Sequence, residues 1–327
     1  MVVAITLALL AFAASWAVVL LLLRRFGHVA LDRPNDRSLH EQPVPRTGGL
    51  AILAGAALSL AFGATQLWLP LAIAAALAAI SFLDDLHGIR TGWRLTVHLG
   101  AAALLAWYVL SPMHPVELAV LVLAVAWLTN LYNFMDGADG LAGGMAVVGF
   151  GAYAAAGWLA NETAITALCL AMAAAAAAFL LYNFHPARIF LGDVGAIPLG
   201  FLAGAIGLLG WRNDAWPLWF PLLVFAPFVG DATLTLLKRA VRGERVWRAH
   251  RDHYYQRMIR MGLGHRATAL IAYAVMGVCA GAALFGRAKP PAMQALVFAA
   301  VALLLAAMAV WIDVRWGRLY RGGRATA

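Results

Sequence analysis

Asp84 and Asp85 stand side by side at the end of a long apolar run, in Ser-Phe-Leu-Asp-Asp-Leu. Adjacent carboxylates repel one another, so one stays partly protonated unless a cation sits beside them. The pair therefore reads either as a cation or phosphate site or as a solvated helix end neutralised by Arg90 or Arg94. A denser block follows: Asn130-Leu-Tyr-Asn133-Phe-Met-Asp136-Gly137-Ala-Asp139-Gly140-Leu-Ala-Gly-Gly. Asn130 and Asn133 are three apart and share a face if a helix continues that far, and Asp136 and Asp139 repeat the spacing. Glycines let backbone approach a ligand closely. Two amides, two carboxylates and four glycines within fifteen residues suit a hydrated cation or a phosphate-bearing ligand better than a plain helix-ending turn.

Three further sets share this character. Phe190-Leu-Gly-Asp193-Val-Gly195 precedes an apolar segment, and Asp193 there is either a helix N-cap or a carboxylate ligand of the kind Mg²⁺ takes alongside water and substrate phosphates. Arg248-Ala-His250-Arg-Asp-His253-Tyr-Tyr-Gln256-Arg257 has two readings. As a helix it would place Trp247, His250, Tyr254, Met258 and Met261 on one stripe, as a basic amphipathic helix on a membrane surface. As a loop it offers His and Arg to a diphosphate, whereas zinc would lack a third ligand nearby. The stretch Asp32-Arg-Pro-Asn-Asp-Arg37-Ser-Leu-His40-Glu-Gln-Pro-Val-Pro45-Arg46-Thr-Gly48-Gly49 adds a Pro/Gly-shaped turn bearing cations. Asp231, late in another apolar segment after Pro227 and Gly230, is either near the surface or a buried, paired acid.

The elements that must position these residues are membrane helices. Of 327 residues, 64% are hydrophobic and only 12% charged, against about a quarter charged in a soluble domain. Met1 to Leu23 is uncharged and ends at Arg24-Arg25, without a basic start or a small-residue cleavage site, so it reads as a retained helix. Apolar segments fall at about 1–23, 48–65, 67–83, 95–110, 117–132, 141–160, 164–182, 195–210, 217–237, 268–286 and 293–312. An all-α, polytopic transmembrane bundle of about eleven helices is expected, drawn tight by small residues such as Ala173 to Ala178. No internal repeat is evident, and residues 1–327 read as a single integral membrane domain. The loops after odd-numbered helices hold 21 of the 24 Lys and Arg. That asymmetry predicts a periplasmic N-terminus, a cytoplasmic C-terminus and an active site formed by cytoplasmic loops. It also accounts for the net charge of +9 without nucleic acid. Cys169 and Cys279 lie inside apolar runs as small core residues.

Together the motifs resemble the polyprenyl-phosphate N-acetylhexosamine-1-phosphate transferase superfamily, glycosyltransferase family 4, from Asp32 to about Gln256 and in the family's order. The His loop lacks the three consecutive histidines of the peptidoglycan branch and looks closer to the O-antigen and common-antigen initiating branch. The early loop reads Arg37-Ser-Leu-His40 where relatives often carry a lysine after the arginine. The resemblance implies Asp193 as principal Mg²⁺ ligand, with Asp84 and Asp85 serving the metal or the acceptor phosphate. It implies Asn130, Asn133, Asp136 and Asp139 on nucleotide-sugar phosphate or metal, His250 and His253 on the diphosphate, and Arg37 and Arg46 on substrate. The implied reaction takes N-acetylhexosamine-1-phosphate from a UDP-N-acetylhexosamine to undecaprenyl phosphate and releases UMP. It would run in the bacterial inner membrane, with Mg²⁺ (Mn²⁺ as the alternative) as cofactor, the lipid bilayer as host and a homodimer as one compatible assembly. The rival reading is a secondary transporter using membrane carboxylates, which would place them near the bilayer midplane in paired repeats.

Overall fold

The computed structural model describes residues 2–34, 39, 42–61, 67–87, 91–110, 112–248 and 250–321. The chain begins with helix α1 (Val2–Arg25), then a minimal antiparallel pair, β1 (Leu31–Asp32) and β2 (Val44–Pro45), with Leu31 opposite Pro45. Helices α2 (Gly49–Ala61), α3 (Trp68–His87), α4 (Thr91–Leu110), α5 (Pro115–Phe134), α6 (Leu141–Leu159), α7 (Thr163–Asn183) and α8 (Asp193–Arg212) follow. The chain continues through α9 (Phe220–Val224), α10 (Ala226–Val241), α11 (Tyr254–Met258), a π turn, α12 (Gly264–Gly286) and α13 (Pro291–Arg321). Each expected apolar segment contains helix, and among the described residues nine helical spans are long and apolar enough to cross a bilayer.

The expected helix 217–237 is broken at Phe225, where φ −93° and ψ 12° leave the helical region. Pro227 at the start of α10 has no N–H to give the preceding turn, and its ring crowds the carbonyl four residues back. Of the two readings of the basic stretch, the continuous helical stripe from Trp247 to Met261 does not form. Helix starts only at Tyr254; Tyr254, Met258 and Met261 turn inward against Ile312 of α13, while Trp247 is exposed in the preceding loop.

The core centres on α8, which is buried without interruption from Val194 to Leu208, whereas α13 is peripheral. Close approach depends on small residues. A Cβ on Gly49 would lie 2.1 Å from the Gly195 Cα, and one on Gly200 would lie 2.7 Å from the Tyr132 Cβ. Side chains at these points would hold α2 and α5 away from α8, so glycine converts into interhelical contact. Tyr132 is fully buried, packs edge-on against Phe228 at 5.2 Å between ring centroids, and donates its hydroxyl to Ala142 O at 2.8 Å. That anchor fixes the rotation of α5, so that the neighbouring Asn133 faces away from the core.

Candidate active site

The polar residues named above gather at one end of the bundle. The backbone after β2 runs alongside the segment preceding α8: Phe190 N–H donates to Pro45 O, Gly48 N–H to Phe190 O and Gly49 N–H to Leu191 O, each at 2.8–2.9 Å. Through this pairing Arg46 reaches α3, where one guanidinium nitrogen meets both the carboxylate and the carbonyl of Asp85 at 3.3 Å.

Arg94, in the first turns of α4, joins the carboxylates of two other helices. It lies 3.0 Å from Asp84 on α3 and 2.6 Å from Asp193 on α8. With the Asn133 amide nitrogen turned toward Asp193, Asn133 donates to Asp193 Oδ1 at 3.1 Å and accepts from Arg94 at 3.2 Å. Asp193 is the first residue of α8, not its N-cap; Gly192 holds that place, and no side chain caps the helix. The carboxyl of Asp193 thus faces other helices, and the capping reading falls away. Arg94 pairs with Asp84 as the bland sequence reading allowed, but the same guanidinium also engages Asp193. Arg37 and Arg90 lie outside the described residues.

Asp136 sits in the turn after α5. Desolvation drives its carboxyl well above the usual range, and the charges of Asp193, Asp32 and Asp85 add to that, against one backbone donor, Gly192 N–H. Asp85 Oδ2 is buried and has no hydrogen-bond partner among the described residues. Several carboxylates crowded together, one with an orphaned oxygen, form a hard-oxygen set that fits a divalent cation such as Mg²⁺.

Asp139 belongs to a different corner. It accepts from His185 Nδ1 at 2.6 Å and from Ala187 N–H at 3.2 Å, while His265 Nδ1 lies 3.4 Å from its other oxygen. Burial alone would raise this carboxyl, but its interactions with His265, His185 and Ala187 outweigh it and the net shift is downward. One ligand atom from each of Asp139, His185 and His265 lies within 4.8 Å of the others. Internal hydrogen bonds already use them: Asp139 N–H donates to His265 Nδ1, and His265 Nε2 lies 3.1 Å from Leu39 O. The cluster buttresses the Asp136–Gly140 turn. Asn183 supports the same turn, accepting from Gly140 N–H at 3.1 Å and donating to Ile189 O at 2.9 Å. His185, His265 and Asn183 carry no sequence signal beyond a polar side chain at a helix end.

Asn130 lies one turn before Asn133 and is engaged locally, with His98 Nδ1 at 3.1 Å and Ala126 O at 2.7 Å. His250 and His253 come together with ring centroids 4.8 Å apart. Burial, with the neighbouring charges of His253 and Arg239, lowers His250 to about 4, so this ring is neutral at pH 7.

A cavity of about 850 Å³ connects these groups. Asp32, Arg94, Asn130, Asn133, Asp136, Asp139, His250 and His253 line its polar side, joined by Tyr255, Gln256 and His265. Leu95, Leu123, Trp127 and Phe134 line its apolar side and are themselves partly exposed. Asp84 and Asp193 stand behind Arg94, the cavity-lining residue to which both are bound.

A chamber at helix ends, polar on one side and apolar on the other, in a bundle of apolar helices, fits a membrane-embedded transferase. Residues 67–210 match the profile of glycosyl transferase family 4. A decaprenyl-phosphate N-acetylglucosaminephosphotransferase of Mycolicibacterium smegmatis is 30% identical, over 93% of this chain and 85% of its own. A protein of Bacillus subtilis named a probable undecaprenyl-phosphate N-acetylglucosaminyl 1-phosphate transferase is 29% identical, over 75% and 74%. A phospho-N-acetylmuramoyl-pentapeptide-transferase of Staphylococcus aureus is 26% identical, over 72% and 83%. The chain belongs to the polyprenyl-phosphate N-acetylhexosamine-1-phosphate transferase family, within glycosyl transferase family 4, and is a multi-pass membrane protein.

Proposed function

We propose that this protein transfers N-acetylhexosamine-1-phosphate from a UDP-N-acetylhexosamine to undecaprenyl phosphate, releasing UMP and starting a cell-surface polysaccharide such as an O-antigen. One observation supports the reading: a single cavity is lined on one side by carboxylate, amide and imidazole groups and on the other by leucine and tryptophan side chains of α4 and α5, two helices long and apolar enough to cross a bilayer. A water-soluble donor and a lipid acceptor need that continuity, because the acceptor's phosphate must reach the chamber while its tail stays in the apolar phase. The excess of Lys and Arg in one set of loops supports a chamber facing the cytoplasm of a bacterial inner membrane.

An acceptor phosphate oxygen attacks the β-phosphorus of the donor, a new P–O bond forms in line, and the bond to the UMP oxygen breaks. Asp84 takes a proton from the acceptor phosphate when it arrives as the monoanion. A dianionic acceptor needs no such help, which favours one displacement over a covalent carboxyl-phosphate intermediate. Arg94, His250 and His253 face the diphosphate, with neutral His250 donating a hydrogen bond and Arg94 supplying charge. Asn133 orients Asp193, and Arg46 holds Asp85 in place. Mg²⁺, or Mn²⁺ in its stead, held by Asp193, Asp84 and Asp85, would neutralise diphosphate charge and stabilise the leaving group. The test incubates membranes containing the protein with undecaprenyl phosphate, Mg²⁺ and a panel of UDP-N-acetylhexosamines, following UMP and the lipid-linked sugar diphosphate. Product from wild type and none from Asp193→Asn or Asp84→Asn, both inserted normally, is expected; substantial turnover by either variant refutes its assigned role.

A further inference from the structure

Asp231 is a carboxylate on α10, and among the described residues its hydrogen-bond contacts run to its own helix or to the start of α11. Oδ1 accepts from Tyr254 N–H at 2.9 Å and from Thr235 Oγ1 at 3.2 Å, and lies 3.2 Å from His253 Nδ1. Oδ2 accepts from Tyr255 N–H at 3.0 Å. The backbone N–H groups that open a helix have no partners within it. Here they are met by a carboxylate from another helix, 23 residues earlier in the chain.

We propose that Asp231 is a positioning residue, acting through His253 to present that imidazole to the reacting diphosphate. The inference rests on the transferase reading above. The Asp231 carboxylate accepts only, so His253 Nδ1 must be the donor, and Nε2 is left for the cavity that the ring lines. Stacking completes the restraint, with Phe134 at 6.2 Å and Tyr255 at 5.9 Å between ring centroids. The Tyr255 hydroxyl donates to Phe134 O at 3.1 Å and ties the loop to the end of α5. Gln256 closes a capping box by accepting from His253 N–H at 3.2 Å. Ring orientation, tautomer and loop position are thus set together, and Asp231 bears on all three.

The test is a double-mutant cycle on UMP release, using full-length protein in detergent with undecaprenyl phosphate and the accepted UDP-sugar. Asp231→Asn keeps size and hydrogen-bonding capacity but sets an amide donor among donors. It should lower kcat/KM about 10- to 100-fold, the range for losing a charged hydrogen bond. In a His253→Ala background the same substitution should cost less than about twofold, because the side chain it positions is gone. Thr235→Val, which removes one contact to Asp231 and leaves its charge, serves as the milder probe if Asp231→Asn folds poorly, and it should show the same loss of effect without His253. Equal, multiplicative losses in both backgrounds would make Asp231 a structural residue and overturn the inference. Absence of transfer by wild-type protein with every donor would instead overturn the transferase reading, and this inference with it.

Discussion

Substituting Gly192 by alanine should damage the site far more than the same change at Gly264, though the two glycines share a backbone conformation. Gly192 has φ 71° and ψ 169°, and Gly264 has φ 71° and ψ 174°. Any L-residue there carries about 1–3 kcal/mol of strain. Their surroundings differ. A Cβ on Gly192 would lie 2.1 Å from Arg46 O, whereas one on Gly264 meets nothing within 4 Å. Relief requires a shift of about 1 Å between two segments that are hydrogen-bonded on either side of the clash, so the Gly192 variant should lose about 2 kcal/mol more than its control. The shift falls on the chemistry: Gly192 N–H supports Asp136, Arg46 holds Asp85, and Asp193 is the next residue. The assay pairs thermal melting in detergent with UMP release. Gly264→Ala should lower melting modestly and lower kcat/KM far less than Gly192→Ala does, because its Cβ displaces no neighbour. Gly192→Ala should melt lower and lose at least about 100-fold in kcat/KM, on the scale of misplacing reactive groups by 1 Å. Equal behaviour of the two variants would refute the close packing of Gly192 on Arg46 as the device that aligns Asp193.

Arg94→Lys keeps the charge but cannot reach two carboxylates with separate nitrogens, so it should lose about 10- to 100-fold in kcat/KM; near-wild-type turnover would show that charge alone suffices. His250 titrates at about 4 in the folded protein against an ordinary 6.5, so the unfolded chain binds its proton more readily in between. Stability present above pH 6.5 should therefore fall by about 2–3 kcal/mol as pH drops toward 4, and His250→Gln should flatten melting temperature against pH over that window. Chelating divalent ions should stop UMP release, and Mg²⁺ at about 100 times its dissociation constant should restore it while stabilising the protein by about 2.7 kcal/mol. Asp193→Asn should lose that Mg²⁺-dependent rise in melting temperature, and its persistence would remove Asp193 from the metal site.

The legible parts of the site were those where a polar residue interrupts an apolar segment at its end. Asp84, Asn133 and Asp193 sit at the ends of three different helices, and cost alone marks a carboxylate or amide there. What marked the positions did not reveal the partners. Asp139 finds His185 and His265, 46 and 126 residues away, through the packing of α7 and α12 onto one turn, and nothing local encodes that meeting. Of the two readings of the basic stretch, the helical one fails for a related reason. Its spacing fits an amphipathic helix, but spacing carries no information about which cations are already neutralised. Arg239 pairs with Glu244 and Asp252, Arg257 with Asp313 of α13, and Gly243 turns the chain with φ 72°. Beside those pairs, Val246, Trp247 and Arg248 line the chamber. Much of the chain's positive charge near the site is therefore spent on internal carboxylates, as Arg46 and Arg94 also are. The chamber's electrostatics follow from that pairing more than from the net charge of +9. Among the described residues, the crowded acids Asp84, Asp85 and Asp193 and the guanidinium that Asp84 and Asp193 share set the charge at this end of the bundle.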